Sequence, residues 1–315
     1  MDQCMFSVVF TSYNGGEFIA ETLDSIINQK HNYPYEIIIC DDCSTDNSRE
    51  VILSYKEKYP NIIKLVFNEK NLCGPGLNFW NGLTYCSGKY IMSAQEADPW
   101  LPDRVKLQIA YMEQYPAIDA CFVLVSKYDI RLDGIQSLHS RIDSSQFNKK
   151  EIFHVDEIRD VEILSCHTGI KTSYVQFYEV KSGIGNVGMC IPKKILDKLV
   201  DDVKPTKRKW IWNEEPIAQW VFIRNNFVVL NFPGFVWRKG HSSLTFNINI
   251  HKMIKRFFLL LDMKIFYFNF YYRDKINPIH RLFKSFAFIF AMIAKVFKEK
   301  YTELFKNENL VINNP

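Results

Sequence analysis

The chain opens on a short β-type run, Phe6-Ser7-Val8-Val9-Phe10, which predicts a strand over 6–11. The hydrophobic positions then switch to helical spacing. Phe18, Ile19, Leu23, Ile26 and Ile27 predict a helix over 16–29. Glu36-Ile37-Ile38-Ile39-Cys40 predicts a second strand, and a helix from Asp46 to Lys58 follows, which Thr45 or Asp46 can cap. The alternation continues with strand 62–67, a Gly/Pro loop at Cys73-Gly74-Pro75-Gly76, helix 77–86 and strand 89–93. After the acidic turn Gln95-Glu96-Ala97-Asp98-Pro99-Trp100 come a helix from Pro102 or Asp103 to Gln114 and a buried strand from Phe122 to Val125. Strands and helices in strict alternation with short connections predict the α/β class: a parallel sheet with right-handed crossovers and helices on its faces.

Residues 127–186 are more polar and less periodic, which predicts loops. Regular pattern returns with a strand at Gly188-Met189-Cys190-Ile191, helices around 193–201 and from Glu214 to Asn225, and a strand at Val228-Val229-Leu230. From about 251 the texture changes. Lys255-Arg256 precedes an aromatic-dense stretch with Phe257, Phe258, Phe266, Tyr267, Phe268, Phe270, Tyr271 and Tyr272, and Pro278 interrupts it. Arg281 to Lys298 then mixes apolar turns with Lys284, Lys295 and Lys298. The longest uncharged apolar run there, Ser285 to Ala294, is far shorter than the roughly 20 residues of a spanning helix. These segments read as amphipathic helices lying in a membrane interface with basic residues toward anionic lipid, or as a pair packed on the protein's own core.

Composition supports a globular chain: 47% hydrophobic, 23% charged and 15% aromatic residues in a length that can bury one or two cores. The net charge of +4 is unevenly placed. Residues 251–300 hold eleven Lys/Arg and three Asp/Glu, so the positive charge belongs to the C-terminal fifth. The eight cysteines show no zinc-ligand spacing, and Cys40 and Cys43 flank Asp41-Asp42, which disfavours a thiolate. They predict reduced, mostly buried thiols of a cytosolic protein. With a strand beginning at residue 6, no signal peptide is expected.

Candidate chemistry gathers where strands end. Thr11-Ser12-Tyr13-Asn14 follows the first strand and Asp41-Asp42-Cys43-Ser44 the second. Open α/β sheets bind ligands at the carboxyl ends of their strands, so this places an aromatic ring and two carboxylates in a ligand crevice. Tyr13 can stack on a base, and Asp42 can accept from a pyrimidine imide N–H in a charge-assisted bond. The alternative is that Asp41, Asp42, Ser44 and Asp46 only cap the next helix.

Taken together, Ser7 to Asn14, Asp41 to Asp46, Gly88-Lys89-Tyr90-Ile91 and the acidic turn resemble the family 2 glycosyltransferases. The resemblance is close over 6–108 and looser to about 245. It implies a GT-A fold, a Rossmann-like and mostly parallel sheet flanked by helices, here with a C-terminal amphipathic helical extension. It implies a nucleotide-sugar-binding half over 1–126, an acceptor-binding half over 127–245 and a basic aromatic tail over 246–315. The implied activity is inverting transfer of a sugar from a nucleotide-diphospho-sugar, UDP-linked, to a saccharide or lipid-linked saccharide hydroxyl in bacterial-type surface polysaccharide synthesis. Thr11, Tyr13, Asn14, Asp41 and Asp42 would hold the nucleoside.

In the family the acidic turn carries an Asp-x-Asp-type pair that holds Mn²⁺ or Mg²⁺ against the diphosphate, where a hard cation neutralises the leaving group. Here Ala97 stands where a metal-binding Asp is usual, and Glu96 and Asp98 remain as a Glu-x-Asp pair. The alternative is an eroded site in a non-catalytic nucleotide-sugar-binding or scaffold protein. Glu214-Glu215 matches the family's acidic pair at the start of a helix. The resemblance implies that its second member is the general base that inversion requires, with Glu in place of the usual Asp; the alternative is a pair of helix-start acids favoured by the dipole. The resemblance further implies that Trp100, and Arg238 and His241 in Trp237-Arg238-Lys239-Gly240-His241-Ser242-Ser243, lie at the diphosphate and acceptor. A dehydrogenase or methyltransferase would want a glycine-rich first turn, and Gly15-Gly16 comes late. The expected partners are a nucleotide-sugar, a saccharide or lipid-linked acceptor and an anionic membrane surface, without nucleic acid. The expected location is the cytoplasmic face of the cell membrane.

Overall fold

The computed structural model describes residues 4–72, 75–129, 163–167, 186–203 and 227–239. Its first half is built as the pattern predicts. β1 (Phe6–Ser12), β2 (Tyr35–Asp41), β3 (Ile63–Phe67) and β4 (Tyr90–Gln95) alternate with α1 (Gly16–Ile27), α2 (Ser48–Lys58), α3 (Pro75–Leu83) and α4 (Arg104–Gln114). β5 (Ala120–Asp129), β6 (Ile163–His167), β7 (Met189–Pro192), α5 (Lys193–Val203) and β8 (Phe227–Lys239) follow. The eight strands form one sheet in the order β3-β2-β1-β4-β7-β5-β8-β6.

The sheet is mixed, with parallel pairing in the majority. β1 pairs parallel with β2 and β4, β2 with β3, and β5 with β8. β7 is the exception: it runs antiparallel between β4 and β5, and β6 runs antiparallel on β8. Because β7 inverts direction on both sides, β4, β5 and β8 point the same way. The carboxyl ends of β1, β2, β4, β5 and β8 therefore meet at one edge of the sheet, where the site lies.

The central strands read as unbroken apolar runs because both faces of a parallel sheet are covered. Val8, Val9, Phe10, Ile37, Ile38 and Ile39 are fully buried. α1 lays Ile19, Leu23 and Ile26 on one side of this core. At the amino-terminal edge, far along the strands from the site, Glu36 accepts bonds from Ser7 Oγ (2.6 Å), the Ser87 main-chain N–H (2.6 Å) and Lys64 Nζ (2.6 Å). Gly88 packs so tightly on the Phe6–Ser7 backbone that a Cβ would collide with it.

Several boundaries depart from the sequence pattern. α3 begins at Pro75, which suits the first helical turn, and ends at Leu83 rather than 86. α2 starts at Ser48; the N-cap residue Asn47 makes no side-chain bond, and Asp46 caps the helix start instead, its Oδ1 accepting the Ser48 N–H at 3.0 Å. β5 and β8 extend well past the apolar cores that marked them, and β6 arises inside the irregular 127–186 stretch. β6 lies at the sheet edge, which needs no continuous apolar run, and in β8 Pro233-Gly234, where the register on β5 shifts, interrupts the pattern. The expectation that the thiols are mostly buried holds among the described residues. Cys40, Cys86, Cys121 and Cys190 are buried and free, and burial pushes the Cys86 and Cys190 thiols up to about 12 and Cys40 higher still. The predicted helix 214–225 and the tail lie outside the described residues. Among the described residues no helix is long and apolar enough to cross a membrane.

Candidate active site

Ser12 at the end of β1 stands beside Asp41 at the end of β2, and the Asp42 N–H donates to the Ser12 carbonyl at 2.8 Å. On the other side Thr11 faces Gln95 of β4, and the Glu96 N–H donates to the Thr11 carbonyl at 3.2 Å. Three adjacent strands thus deliver Thr11-Ser12-Tyr13-Asn14, Asp41-Asp42 and Glu96-Ala97-Asp98 to one edge. Thr11 is buried, with its hydroxyl on the Ala94 carbonyl (3.4 Å), Tyr13 is half-buried and Asn14 is exposed.

The loops after β1 and β2 are knitted together. The Asn14 N–H donates to Ser44 Oγ (2.9 Å), and the Thr45 N–H donates to Asn14 Oδ1 (2.8 Å). The Gly15 N–H meets Ser48 Oγ (3.0 Å), and the Gly16 N–H meets Asp46 Oδ2 (3.1 Å). Burial pulls the Asp46 carboxyl up. The bonds from Ser48 and Gly16 outweigh it and hold the group below its ordinary value. Asn14 (φ 54°) and Cys43 (φ 63°) take left-handed backbone here, which Asn tolerates and Cys does not favour.

This geometry separates the two adjacent aspartates. Asp41, fully buried, accepts from the Ser44 N–H (3.1 Å), the Ser44 hydroxyl and Arg49 Nε (2.6 Å). Its carboxylate builds the β2–α2 turn, much as the capping alternative proposed. Asp42 turns the other way. Its Oδ1 accepts from Asn68 Nδ2 (3.0 Å) and the Leu72 N–H (2.8 Å), and none of these partners belongs to α2.

The acidic turn is anchored from both sides. Glu96 packs over Gly15, where an added Cβ would collide with its Cγ, and its carbonyl accepts from Thr22 Oγ1 (2.8 Å). Ala97 and Asp98 are buried. β8 zips onto the turn: the Leu101 N–H donates to the Gly234 carbonyl, the Val236 N–H to the Pro99 carbonyl, and the Arg238 N–H to Asp98 Oδ1 (3.4 Å). The Arg238 guanidinium is buried on Phe18 (4.6 Å to the ring centre) and paired with Glu21 (2.7 Å). Arg238 therefore touches the site through its main chain. Trp100 is buried beneath the turn, with the Arg104 guanidinium stacked on its ring at 3.8 Å. Arg104 is fully buried, and desolvation lowers it to about 9.

Glu96 and Asp98 supply hard oxygen donors. Among the described residues no group of three His, Cys, Asp or Glu side chains gathers that could hold a metal ion. Mg²⁺ is ordinarily held by one or two protein carboxylates completed by substrate phosphates and water, and the pair fits that mode. Glu214, Glu215 and His241 lie outside the described residues. Sequence reasoning missed Gly15, Glu21, Asn68, Asn78, Asn81 and Arg104. The spacing of Asn78 and Asn81, three apart and hence on one helix face, was the readable signal for that pair.

Comparison with known proteins agrees with this architecture. The model of the family described as "Glycosyl transferase family 2" matches residues 7–176. The putative teichuronic acid biosynthesis glycosyltransferase TuaG of Bacillus subtilis is 33% identical over 108 residues, covering 34% of this chain and 42% of that protein. The UDP-Glc:alpha-D-GlcNAc-diphosphoundecaprenol beta-1,3-glucosyltransferase WfgD of Escherichia coli is 30% identical over 112 residues, covering 36% of this chain and 42% of that protein. The chain thus spans less than half the length of these relatives. The crystal structure of S. aureus TarS 1–349 in complex with UDP-GlcNAc superposes with a TM-score of 0.57 at 17% identity, over 88% of this chain and 69% of that one, which shows a shared fold.

Proposed function

The chain belongs to glycosyl transferase family 2, and from that membership and the geometry of its strand ends we propose that it transfers a sugar, with inversion, from a UDP-sugar to a hydroxyl of a saccharide or lipid-linked saccharide. The single observation that carries this is the placement of Asp42. It is an aspartate released from helix capping, tied by its N–H to Ser12, the residue before the half-buried Tyr13, at the edge that also receives Asp98. Tyr13 stacks on the base and Asp42 accepts its imide N–H. Thr11 and Asn14 shape the floor and rim, and Asp41 builds the turn that presents Asp42. Glu96 and Asp98 would hold Mn²⁺ or Mg²⁺, which supplies positive charge to the leaving diphosphate when bound. Glu215 takes the proton of the acceptor hydroxyl as that oxygen attacks the anomeric carbon, with Glu214 beside it. The segment after β8, with His241, faces the diphosphate. The tail over 246–315 rests on the anionic cytoplasmic face of the membrane, where lipid-linked acceptors lie.

One observation favours a second reading, a non-catalytic sugar-nucleotide-binding protein: Ala97 is buried in the turn where the family carries a carboxylate. Turnover decides between them. The protein is incubated with Mn²⁺ and a panel of UDP-, GDP- and TDP-sugars, and nucleotide release is followed with and without a polyprenyl-diphosphate-linked saccharide. UDP release that accelerates with the acceptor is expected. Binding of UDP-sugars with no release from any of them supports the non-catalytic reading.

A further inference from the structure

Against Asp42 runs a chain of three amides, two of them buried and Asn81 half-buried, whose polarity is fixed from one end. The Cys40 carbonyl, in β2, is an acceptor only. It therefore calls for the Nδ2 end of Asn78, which donates to it at 2.6 Å. Asn78 Oδ1 then faces Asn68, and that oxygen calls for Asn68 Nδ2, at 2.9 Å. The second N–H of the same Nδ2 donates to Asp42 Oδ1 at 3.0 Å. Asn68 Oδ1 is closed off by Asn81 Nδ2 at 3.0 Å. A flipped Asn68 would set its oxygen against both Asn78 Oδ1 and the Asp42 carboxylate, so only one orientation satisfies the network. The Asn68 main chain is pinned as well, its N–H on the Asp41 carbonyl (3.0 Å) and its carbonyl under Arg49 (2.9 Å). Asn68 and Asn78 are nearly fully buried, at 8% and 1% exposure.

We propose that Asn68 is a specificity-determining positioning residue, which fixes the Asp42 carboxylate so that the site takes a base with an imide N–H, uracil or thymine, and refuses cytosine. This rests on the reading of Asp42 as the base acceptor. The two bonds to Asp42 fall on Oδ1 and prevent the carboxylate from swinging. Uracil offers an N–H at position 3, whereas cytosine presents a bare nitrogen there and an amino group at position 4. A carboxylate free to move can follow that amino group and accept from it. A fixed carboxylate meets the cytosine lone pair instead, and a desolvated acceptor facing an acceptor is heavily penalised.

The test is the ratio of CDP to UDP dissociation constants, measured by calorimetry in Mn²⁺ for the full-length wild type, Asn68→Ser and Asn81→Ala. Wild type is expected to prefer UDP by on the order of 10- to 100-fold, the range set by one hydrogen bond to a charged group. Asn68→Ser is expected to bring the ratio to within about threefold of unity, mostly by improving CDP relative to UDP. Asn81→Ala removes only the outer support and folds normally. Its ratio is expected to fall by about two- to threefold. A role in packing alone weakens both nucleotides together and leaves the ratio unchanged, so unchanged ratios in both variants overturn the inference. A wild type that binds CDP and UDP alike overturns the reading of Asp42 and this inference with it. A UDP preference lost in Asp42→Ala but kept in both asparagine variants overturns this inference alone.

Discussion

Glu215→Gln is expected to lower kcat for sugar transfer by about 10²- to 10⁴-fold, the usual contribution of a positioned general base. Gln keeps the size and polarity of Glu but cannot accept the acceptor's proton. Binding of UDP, which the proposal assigns to Asp42, Tyr13 and the acidic turn, should be unchanged. The loss therefore appears in kcat with the KM for donor near wild type, as expected when an interaction present only in the transition state is removed. Two controls sharpen it. Glu214→Gln should cost far less, since the proposal gives the proton to the second member of the pair. Glu215→Asp shortens the arm by one methylene to the residue common in the family, and should keep measurable transfer. Glu215 lies beyond residue 176, where the family match ends, so its role stands on the acidic pair itself. Full transfer by Glu215→Gln would remove it from the chemistry.

Arg238→Ala is expected to destabilise the protein by about 3 kcal/mol, the lower end of what removing one partner of a buried ion pair costs. The Arg238 side chain is 4% exposed and Glu21 is 23% exposed, so water relieves the stranded carboxylate only in part. Among the described residues Glu21 Oε1 already finds no hydrogen-bond partner, and the loss of Arg238 takes away the bond on Oε2 as well. The cation over Phe18 is lost too. Chemical denaturation measures the change. Pairing Glu21→Leu with Arg238→Met should recover most of it, since a buried ion pair replaced by packed apolar groups is often neutral or better. A destabilisation below about 1 kcal/mol, joined to lost UDP affinity, would instead return the guanidinium to the diphosphate.

The first hundred residues were legible because two independent signals agree there. Strand and helix periods alternate cleanly, and polar residues appear just where the strands stop. Tyr13 and Asp42 followed from those stops, and Glu96 and Asp98 from the family resemblance of the acidic turn. The division of labour between Asp41 and Asp42 did not. Adjacent aspartates look alike in sequence, and only the direction of each side chain, toward Arg49 or toward Asn68, separates them. The Asn68-Asn78-Asn81 chain was hidden for a similar reason: asparagine reads as loop or cap, and its burial depends on two elements meeting. Arg238 was placed at the diphosphate by the family resemblance of its segment, which does not show where the guanidinium points. The strand that carries it runs on to Lys239, and Glu21 on α1 meets it there. β7 reversed the expected parallel order because four residues carry no directional signal.

If the edge bearing Asp42 and Asp98 is one metal-assisted UDP site, a calorimetric titration of UDP into the protein, in Mn²⁺ and again in EDTA, will show it. Binding is expected in both, at least about tenfold tighter with Mn²⁺, with Asp98→Asn removing the gain from Mn²⁺ and keeping the EDTA affinity. UDP affinity that is the same with and without Mn²⁺, or no UDP binding in either, would contradict it.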